Sequence, residues 1–516
     1  MTVRVQRRMN SARHDLIIIG GGINGAGIAR DAAGRGLRVA LLEQADFAGG
    51  TSSASTKLVH GGLRYLEQFE FRLVAESLKE REVLLRLAPH LVTPLRFVVP
   101  HVSALRPAWM MRLGLWMYDR LGGAGSLPSS GAIRMTGTAE GAALRGGLRK
   151  GFAYWDARVD DARLVIANLR SAAAYGAQLW SRTRFIDAVR DARGWRVEAE
   201  GSDGRRVQMY SRALINAGGP WVERILSGIA HGESPAHAQL VKGSHIVVPR
   251  IHPGAHAYLL QNEDGRVLFV LPYERHYSLI GTTDVLVEAP EDGARITPQE
   301  IRYLLEAANR YLARPLGVND VVWSYSGVRP LYDDGSANPS KTTRDYNLVL
   351  DARDGAPLLS VFGGKITTYR KLAEAVLVRL HPWLPTSRGA WTATEALPGA
   401  EGLQDRDIAR EALRMHYAAL PPHLVDRLFD RHGNATPAVL GDARSGADLG
   451  IHFGGDLYER EVRYFIEHEW ARSADDVLWR RSKAGLHLDA AQRLAFETWF
   501  DLRCPRVSVQ SAQQTI

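Results

Sequence analysis

Cysteine is almost absent from this chain of 516 residues, and the single example, Cys504, lies near the C-terminus. One cysteine excludes a disulfide bond within the chain and any metal cluster held by several thiolates. The pair His468 and Glu469 is not followed by a second histidine at helical spacing, so it is not a zinc motif. We therefore expect no metal site, and the thiol content is typical of a reducing compartment.

Long hydrophobic runs are also missing, and no stretch approaches 18 consecutive apolar residues, so we expect no transmembrane helix. The first 13 residues are basic but have no apolar core, which excludes a secretory signal and leaves Met1 and Met9 as candidate starts. The composition, with 45% hydrophobic and 23% charged residues, indicates a globular protein of two or three domains. The net charge of +9 favours anionic partners. Because no nucleic-acid recognition module accompanies it, we expect no nucleic acid partner.

A glycine-rich turn between two apolar strands organises the N-terminal region. Residues 16–19 are typical of a buried strand, and Gly20, Gly22 and Gly25 follow in the spacing G-x-G-x-x-G. The first glycine permits a tight turn, the second lets a pyrophosphate approach the backbone, and the third lets the next helix pack closely. Glu43 ends the second strand, where its carboxylate can accept a hydrogen bond from a ribose hydroxyl. The motif predicts a dinucleotide site and leaves NAD and FAD both open.

Other segments narrow the cofactor to FAD. The hydroxyl-rich loop 45–67 is long for a solvated connection, and such structured loops are usually functional. The small-residue turn 216–220 and the late pair Gly363-Gly364 return the chain to the first domain. The predicted cofactor contacts outside the first motif are Thr51, Ser52, Lys57, His60, Gly61, Gly62, Gly218, Gly364, Lys365 and Thr367.

Six segments of the chain are informative together: GGGINGAGIARDAAGRG, TSSASTKLVHGGLRYLE, KGSHIVVP, GTTDV, YSGVRPL and FGGKITTYRKLAE. They resemble the bacterial FAD-dependent, respiratory glycerol-3-phosphate dehydrogenases. They occur in the expected order, and the similarity extends from Asp15 to about Trp499. The resemblance implies oxidation of sn-glycerol 3-phosphate to dihydroxyacetone phosphate, non-covalent FAD as hydride acceptor, and ubiquinone or menaquinone as electron acceptor. It also implies a cytoplasmic protein bound peripherally to the inner membrane. A homodimer is one assembly that the sequence leaves open.

The resemblance also implies which residues surround the substrate, namely Arg64, Tyr65, His245, Thr282, Arg329, Arg344 and Lys365. Arginine suits this role because its planar group matches a phosphate dianion. We expect catalytic roles for Arg329 and Lys365, near the reacting oxygen, and for His245, whose imidazole titrates near working pH. A lysine of lowered pKa, a water held by an arginine, and His60 are the alternative bases. A histidyl-flavin bond at His60 is disfavoured, since the family binds FAD non-covalently.

The order of elements predicts an α/β protein with a discontinuous, Rossmann-like FAD-binding domain, an antiparallel-sheet cap domain for the substrate and a helical C-terminal domain. The predicted boundaries are 14–100, 151–236 and 341–385 for the FAD-binding domain, 101–150 for a membrane-associating or cap segment, 237–340 for the cap, and 386–516 for the helical domain. Finer predictions are strands at 178–189, 195–199, 206–210, 244–248, 266–271 and 277–281, and C-terminal helices at 405–417, 423–429, 457–470 and 475–483.

The segment around Arg106 to Arg120 is the candidate contact with a membrane surface. Residues 108–121 are apolar in nearly every helical direction, with tryptophans, methionines and arginines, but they are too few to span a bilayer. That composition favours a helix in the headgroup region or an entry for a lipophilic quinone. A buried core helix is the competing interpretation.

Two other flavoenzyme classes compete with the leading hypothesis. A glycerol-3-phosphate oxidase would pass electrons to oxygen rather than to quinone. An FAD-dependent amine or hydroxyacid oxidase would need one carboxylate-binding arginine instead of a cluster that suits a phosphate. The stretch from Trp109 to Met117 favours the quinone-dependent dehydrogenase.

Overall fold

The computed structural model describes residues 13–102, 104–123, 125–229, 237–281, 283–332, 345–353 and 355–503. Two predicted site residues, Thr282 and Arg344, and the single cysteine lie outside the described residues. The α-helices are α1 Ile23–Gly34, α2 Phe71–Leu87, α3 Ala108–Leu121, α4 Asp161–Ala174, α5 Val222–Ser227, α6 Pro298–Asn309, α7 Tyr369–Leu380, α8 Arg406–His416, α9 Pro422–His432, α10 Thr436–Leu440, α11 Glu459–His468 and α12 Ala490–Arg503.

The strands form two large sheets and one small pair. They are β1 Arg13–Ile19, β2 Val39–Leu42, β3 Leu58–Val59, β4 Val92–Pro100, β5 Gly131–Arg134, β6 Lys150–Val159, β7 Gln178–Trp180, β8 Thr183–Asp191, β9 Gly194–Gly201, β10 Arg206–Asn216, β11 Ala238–Pro249, β12 Ala257–Gln261, β13 Val267–Tyr273, β14 Tyr277–Gly281, β15 Val285–Leu286, β16 Trp323–Tyr332, β17 Asn347–Asp351, β18 Leu358–Phe362, β19 His452–Gly454 and β20 Leu457–Tyr458.

The first sheet has the order β17-β18-β10-β1-β2-β7, with β9 paired to β10 and β8 paired to β9. Strands β18, β10, β1, β2 and β7 run parallel, as expected where helices cross over between strands. Ile17 and Ile18 of β1 point to opposite faces and are both fully buried, so both faces of the sheet are covered. One face packs on α1, α4 and α7, and the other packs on α5 and the β8–β9 ribbon. The Rossmann-like architecture is confirmed.

The strand predicted at 178–189 is in fact two strands. β7 continues the parallel sheet, whereas β8 starts the antiparallel ribbon, and the break falls at Arg182, whose φ is 51°. Hydrogen bonds fix this turn, since Arg182 N donates to Ala45 O at 2.9 Å and Thr183 N donates to Glu43 O at 2.7 Å. The strand predicted at 206–210 was too short, because β10 continues to Asn216 and pairs with β1.

The second sheet contains more of the chain than the predicted cap domain. Its order is β15-β11-β14-β13-β12-β4-β6-β3, with β16 on β11 and β5 on β6. The predicted strands at 244–248, 266–271 and 277–281 correspond to β11, β13 and β14. However, β4 and β6 lie outside 237–340 and join the same sheet, since β12 pairs with β4 and β4 pairs with β6. The boundaries proposed at 100 and 151 therefore do not separate the two sheets.

Helices α2 and α3 cover one face of the second sheet, and α6 covers the other. The C-terminal region is helical, as predicted, with its own core that includes Leu428, Val462 and Phe465. The helix predicted at 475–483 is present as a π-helix, Asp476–Arg481, and α12 was not predicted. Among the residues that the structure describes, no helix is long and apolar enough to cross a membrane.

Candidate cofactor and substrate site

A cavity of about 1260 Å³ opens where the parallel strands of the first sheet end. The loops that leave β1, β2, β10 and β18 all line it, as ligand sites of open α/β sheets do. The opposite wall comes from the second sheet through β6, β13 and β16. The predicted site residues that line the cavity are Gly20, Gly22, Glu43, Thr51, Ser52, His60, Gly62, Arg64, Tyr65, Gly218, Arg329, Gly364, Lys365 and Thr367.

The glycine turn has the geometry that a dinucleotide requires. Gly20 has a φ of 112°, and a Cβ there would collide with the carbonyl group of Ala217. Gly25 lies away from the cavity and acts as predicted, because a Cβ there would overlap the carbonyl oxygen of Gly20 and push α1 off the strand. The start of α1 lines the cavity through Gly22, Ile23 and Asn24, and the N-terminus of a helix suits a pyrophosphate. One N–H group there is already bonded within the protein, since Ser52 Oγ accepts from Ile23 N at 2.9 Å.

Glu43 presents its carboxylate to the cavity, as the sequence predicted. Oε2 accepts a hydrogen bond from Gly21 N and Oε1 accepts one from Ala45 N, both at 2.8 Å. Burial raises the pKa of Glu43, and these two backbone hydrogen bonds oppose the shift. Each carboxylate oxygen has a second acceptor position, which a ribose hydroxyl can occupy. The turn, α1 and Glu43 together fit the adenosine diphosphate half of FAD.

Lys57 and Gly61 do not lie where the sequence placed them. Lys57 Nζ is buried behind the loop, 2.7 Å from Asp161 Oδ2 and 2.6 Å from Ser53 O. Burial lowers the pKa of Lys57, and the Asp161 carboxylate opposes the shift. Gly61 N donates to the Tyr118 hydroxyl of α3 at 2.8 Å, so it packs beneath that helix. Both residues stabilise the loop from outside the cavity, Lys57 through its ion pair with Asp161 and Gly61 through its hydrogen bond to α3.

His245 also lies behind the cavity wall. Its ring stacks on Tyr325 with centroids 4.8 Å apart, and Nε2 lies 3.1 Å from Thr56 Oγ1. Burial lowers the pKa of His245 well below its ordinary value, and the charges of Lys57 and Arg329 lower it further. Thr56, one of the hydroxyl residues of the loop 45–67, does line the cavity. The imidazole is therefore neutral, and this hydroxyl connects its Nε2 with the cavity.

Among the cationic side chains that line the cavity are the three that the resemblance placed around the substrate, Arg64, Arg329 and Lys365. Arg329 Nη1 lies 2.6 Å from Asp284 Oδ1, which orients the guanidinium group. Lys365 Nζ lies 3.9 Å from the ring centre of Tyr65. Because these residues come from a loop after β3, from β16 and from the turn after β18, only the tertiary fold brings them together.

Two further residues belong to the site and were not predicted. Asp284 holds Arg329, and Asn24 Nδ2 donates to Gly363 O at 3.2 Å, which ties the first glycine turn to the last. Thr367 Oγ1 accepts from His60 N at 3.2 Å, so the loop 45–67 is tied to the same late turn. A signal existed for Asn24, since it is a polar side chain at the start of a buried helix. The pairing of Asp284 with Arg329 has no sequence signature.

Helix α3 forms one wall of the cavity and also presents apolar side chains to solvent. Its inner residues Met111, Leu115 and Tyr118 are buried, and Met110, Met111, Leu113, Gly114 and Met117 face the cavity. Its outer face carries Trp109 at 69% and Trp116 at 53% exposure. The helix is thus neither fully buried nor fully exposed, and its apolar outer face is consistent with the membrane interpretation.

Comparison with known proteins identifies the family. Residues 15–370 match the model of the FAD dependent oxidoreductases, and residues 390–501 match the C-terminal domain of alpha-glycerophosphate oxidase. The aerobic glycerol-3-phosphate dehydrogenase of Escherichia coli strain K12 is 50% identical over 487 residues, which cover 94% of this chain and 97% of that protein. The D-erythritol 1-phosphate dehydrogenase of Brucella abortus strain 2308 is also 50% identical, over 94% of this chain and 97% of its own.

A solved structure agrees with both domains. The glycerol-3-phosphate dehydrogenase from Bacillus halodurans, complexed with FAD, superposes with a TM-score of 0.74 at 26% identity and covers 97% of both chains. The FAD predicted from the sequence is thereby confirmed, and the glycine turn and Glu43 provide a matching site. The chain belongs to the FAD-dependent oxidoreductases and, within them, to the family of the glycerol-3-phosphate dehydrogenases.

Proposed function

We propose that this protein oxidises sn-glycerol 3-phosphate to dihydroxyacetone phosphate and passes the electrons to a membrane quinone, ubiquinone or menaquinone. The observation that carries the proposal is the convergence of Arg64, Arg329 and Lys365 on the cavity beside a complete FAD-binding turn. A phosphate dianion matches this cluster better than the carboxylate of an amino acid, which needs one cation. Arg344, which lies outside the described residues, is proposed as a further phosphate ligand, and Thr282 as a substrate contact.

Substrate binding in this proposal depends on preorganised charge. The Asp284 carboxylate keeps Arg329 in one orientation, so less rotamer freedom is lost when the arginine binds an anion. Tyr65 packs against Lys365 and holds the ammonium group near the same space. Bound FAD supplies the hydride-accepting atom, N5 of its flavin. The protein must therefore hold the carbinol C–H toward that ring and remove the hydroxyl proton.

For the proton, we propose that Thr56 and His245 act as a pair. The Thr56 hydroxyl faces the cavity and can relay the substrate's hydroxyl proton to Nε2 of His245, whose imidazole is neutral. Burial and the charges of Lys57 and Arg329 disfavour the imidazolium, so His245 holds this proton only transiently. The two cations near the reacting oxygen, Arg329 and Lys365, would stabilise the developing alkoxide. This arrangement retains His245 as the proton acceptor and adds the hydroxyl that connects it with the cavity.

For the acceptor, we propose that α3 lies at the cytoplasmic surface of the inner membrane and admits the quinone. Trp109 and Trp116 face outward, and Arg120 lies over Trp116 with its guanidinium carbon 5.3 Å from the ring centre. Tryptophan and arginine together suit the headgroup layer. Because the neighbouring face of α3, with Met110, Leu113 and Met117, lines the cavity, a lipophilic acceptor in the membrane would enter close to the flavin. We also propose that the protein binds FAD non-covalently and that it forms a homodimer.

D-Erythritol 1-phosphate is the second candidate substrate, because the Brucella abortus enzyme named for it is as similar as the Escherichia coli enzyme. It is also a polyol phosphate, so the same cationic cluster would bind its charged end. The two substrates differ by one carbinol unit. We expect the cavity beyond the cluster to decide between them.

The test is steady-state turnover of the purified protein on anionic vesicles that contain ubiquinone. We expect quinone reduction with glycerol 3-phosphate and a lower kcat/KM with D-erythritol 1-phosphate. A higher kcat/KM with erythritol phosphate would transfer the assignment to the second candidate. Peroxide formation in place of quinone reduction would identify an oxidase, and turnover of amino acids alone would refute the phosphate site.

A further inference from the structure

The C-terminal helical domain touches the cofactor site through one short loop. This ribose loop, residues 43–50, begins with Glu43 and wraps around Gly21 of the glycine turn. Gly21 N donates to Glu43 Oε2, and Ala48 N donates to Gly21 O at 3.1 Å. The position of the Glu43 carboxylate therefore depends on the shape of the whole loop.

Asp46, in the middle of the ribose loop, is buried and bound by two arginines of the C-terminal domain. Arg481 donates from Nη1 to Oδ2 and from Nη2 to Oδ1, both at 2.7 Å, in a bidentate pair. Arg480 Nε donates to Oδ2 at 2.5 Å. Arg481 is fully buried and Asp46 is 3% exposed, so water does not compete for these contacts. Bidentate pairs of this kind fix direction as well as distance.

The arginines are themselves held in place. Arg481 donates from Nε and Nη2 to Glu469 O at 3.0 and 2.7 Å. Arg480 Nη2 donates to Asp476 Oδ1 at 2.7 Å, and Arg182, beside the loop, donates to the same carboxylate. Both arginines lie in the π-helical turn Asp476–Arg481. Such turns are rare in proteins, and those that occur are often found at functional sites. Trp470 adds an edge-on contact with Phe47 of the loop at 5.5 Å.

We infer that Arg480 and Arg481 are positioning residues through which the C-terminal domain fixes the ribose loop and thereby holds the adenosine end of FAD. Neither arginine lines the cavity, so they act on the cofactor through Asp46 and the backbone hydrogen bonds around Glu43. The domain that carries no nucleotide motif of its own is thus required for tight flavin binding. This inference goes beyond the proposed reaction and does not depend on which substrate is oxidised.

The experiment measures cofactor binding rather than turnover. FAD is removed from the purified full-length protein, and the apoprotein is titrated with FAD while flavin fluorescence is followed. Arg481→Gln should raise the dissociation constant of FAD by about tenfold or more, as loss of a supporting group does in metal sites. ADP contains the same adenosine ribose but no flavin. Its affinity, measured by competition with FAD, should fall by a similar factor. Arg481→Lys should restore part of the affinity for FAD and part of the affinity for ADP.

A matched control separates positioning from general stability. Arg427 connects α9 to the second sheet, with Nη2 3.4 Å from Glu274 Oε2, and lies away from the ribose loop. Arg427→Gln should lower the melting temperature of the apoprotein without changing the FAD dissociation constant. If Arg427→Gln weakens FAD as much as Arg481→Gln, the inference is wrong. Wild-type FAD affinity in Arg481→Gln, or a loss confined to FAD with ADP unaffected, would also overturn it.

Removal of a fully buried arginine can unfold the protein, so a milder variant keeps the test decisive. Arg480 is partly exposed and supplies one of the three hydrogen bonds to Asp46. Arg480→Met should fold and should weaken FAD and ADP in the same direction by a smaller factor. If Arg480→Met binds both ligands as the wild type does while Arg481→Gln fails to fold, the inference is refuted.

Discussion

The outer face of α3 gives a prediction whose size can be worked out from the structure. Trp109 is 69% exposed and Trp116 is 53% exposed, and both project from the same helix. With about 200 Å² for each tryptophan, the pair presents roughly 240 Å² of side-chain surface. At about 25 cal/mol per Å², complete removal of this surface from water would contribute at most about 6 kcal/mol. Half immersion in the headgroup layer would give about 3 kcal/mol, a factor on the order of 100 in partitioning.

The perturbation is the double variant Trp109→Ser and Trp116→Ser, and the assay is co-sedimentation with vesicles of anionic lipid. We expect the partition coefficient to fall on the order of 100-fold and quinone turnover to fall with it. The matched control is Ile408→Ser and Met415→Ser on α8, which removes two residues of similar exposure, 71% and 68%, from another surface. The control should bind vesicles as the wild type does.

Unchanged vesicle binding in the tryptophan variant would refute the reasoning, because α3 would then not be the membrane contact. An equal loss in the α8 control would refute it too, since the binding would then follow total exposed apolar area. The flavin spectrum should stay the same in both variants, as neither tryptophan lines the cavity.

Three other predictions follow from the site and the core. Arg329→Met should lower kcat/KM for glycerol 3-phosphate by about 10- to 150-fold, the loss expected from one charged hydrogen bond of about 1.5–3 kcal/mol; a steady-state KM and kcat equal to wild type would contradict the cationic cluster. Thr56→Val should lower kcat by about 100-fold with little change in KM, because it disconnects His245 from the cavity. An unchanged rate constant of flavin reduction in a single-turnover experiment would exclude Thr56 and His245 as the proton-accepting pair. Stability should fall on acidification, since burial lowers the pKa of His90 to about 3 and that of His252 to about 4. Below about pH 6.5 these two histidines bind protons in the unfolded chain but not in the folded chain, so each should lower the free energy of unfolding by about 2 kcal/mol at pH 5. Equal stability at pH 7 and pH 5 in urea denaturation would disprove this.

Local motifs in the sequence were sufficient to predict the nucleotide half of the site. The spacing of Gly20, Gly22 and Gly25 and the position of Glu43 are set within one strand–helix–strand unit, so short-range geometry determines them. The structure places Gly20, Gly22 and Glu43 on the cavity and leaves Gly25 in its packing role. The bounds of α3, residues 108–121, were also predicted correctly, because one continuous apolar pattern covers the helix.

Residues whose roles depend on distant partners were predicted less well. Lys57 looks like a cofactor ligand in a hydroxyl-rich loop, but its partner Asp161 lies 104 residues away and draws it into the core. For the same reason the pairing of Asp284 with Arg329 was not predicted. Residues 92–100 and 151–159, which form β4 and most of β6, were assigned to the FAD-binding domain although they join the second sheet. Sheet membership is decided by pairing between distant strands, such as β12 with β4, and the local pattern of a buried strand is the same in either sheet.

The most direct measurement of the central claim is anaerobic reduction of the purified holoprotein by its substrate. Addition of sn-glycerol 3-phosphate without any electron acceptor should bleach the flavin absorbance in one turnover, and Arg329→Met should slow that bleaching. Glycerol, which lacks the phosphate, should leave the flavin oxidised at the same concentration. If glycerol 3-phosphate leaves the flavin oxidised, or if glycerol bleaches it equally well, the assignment of a phosphate-bearing substrate to this cavity is contradicted.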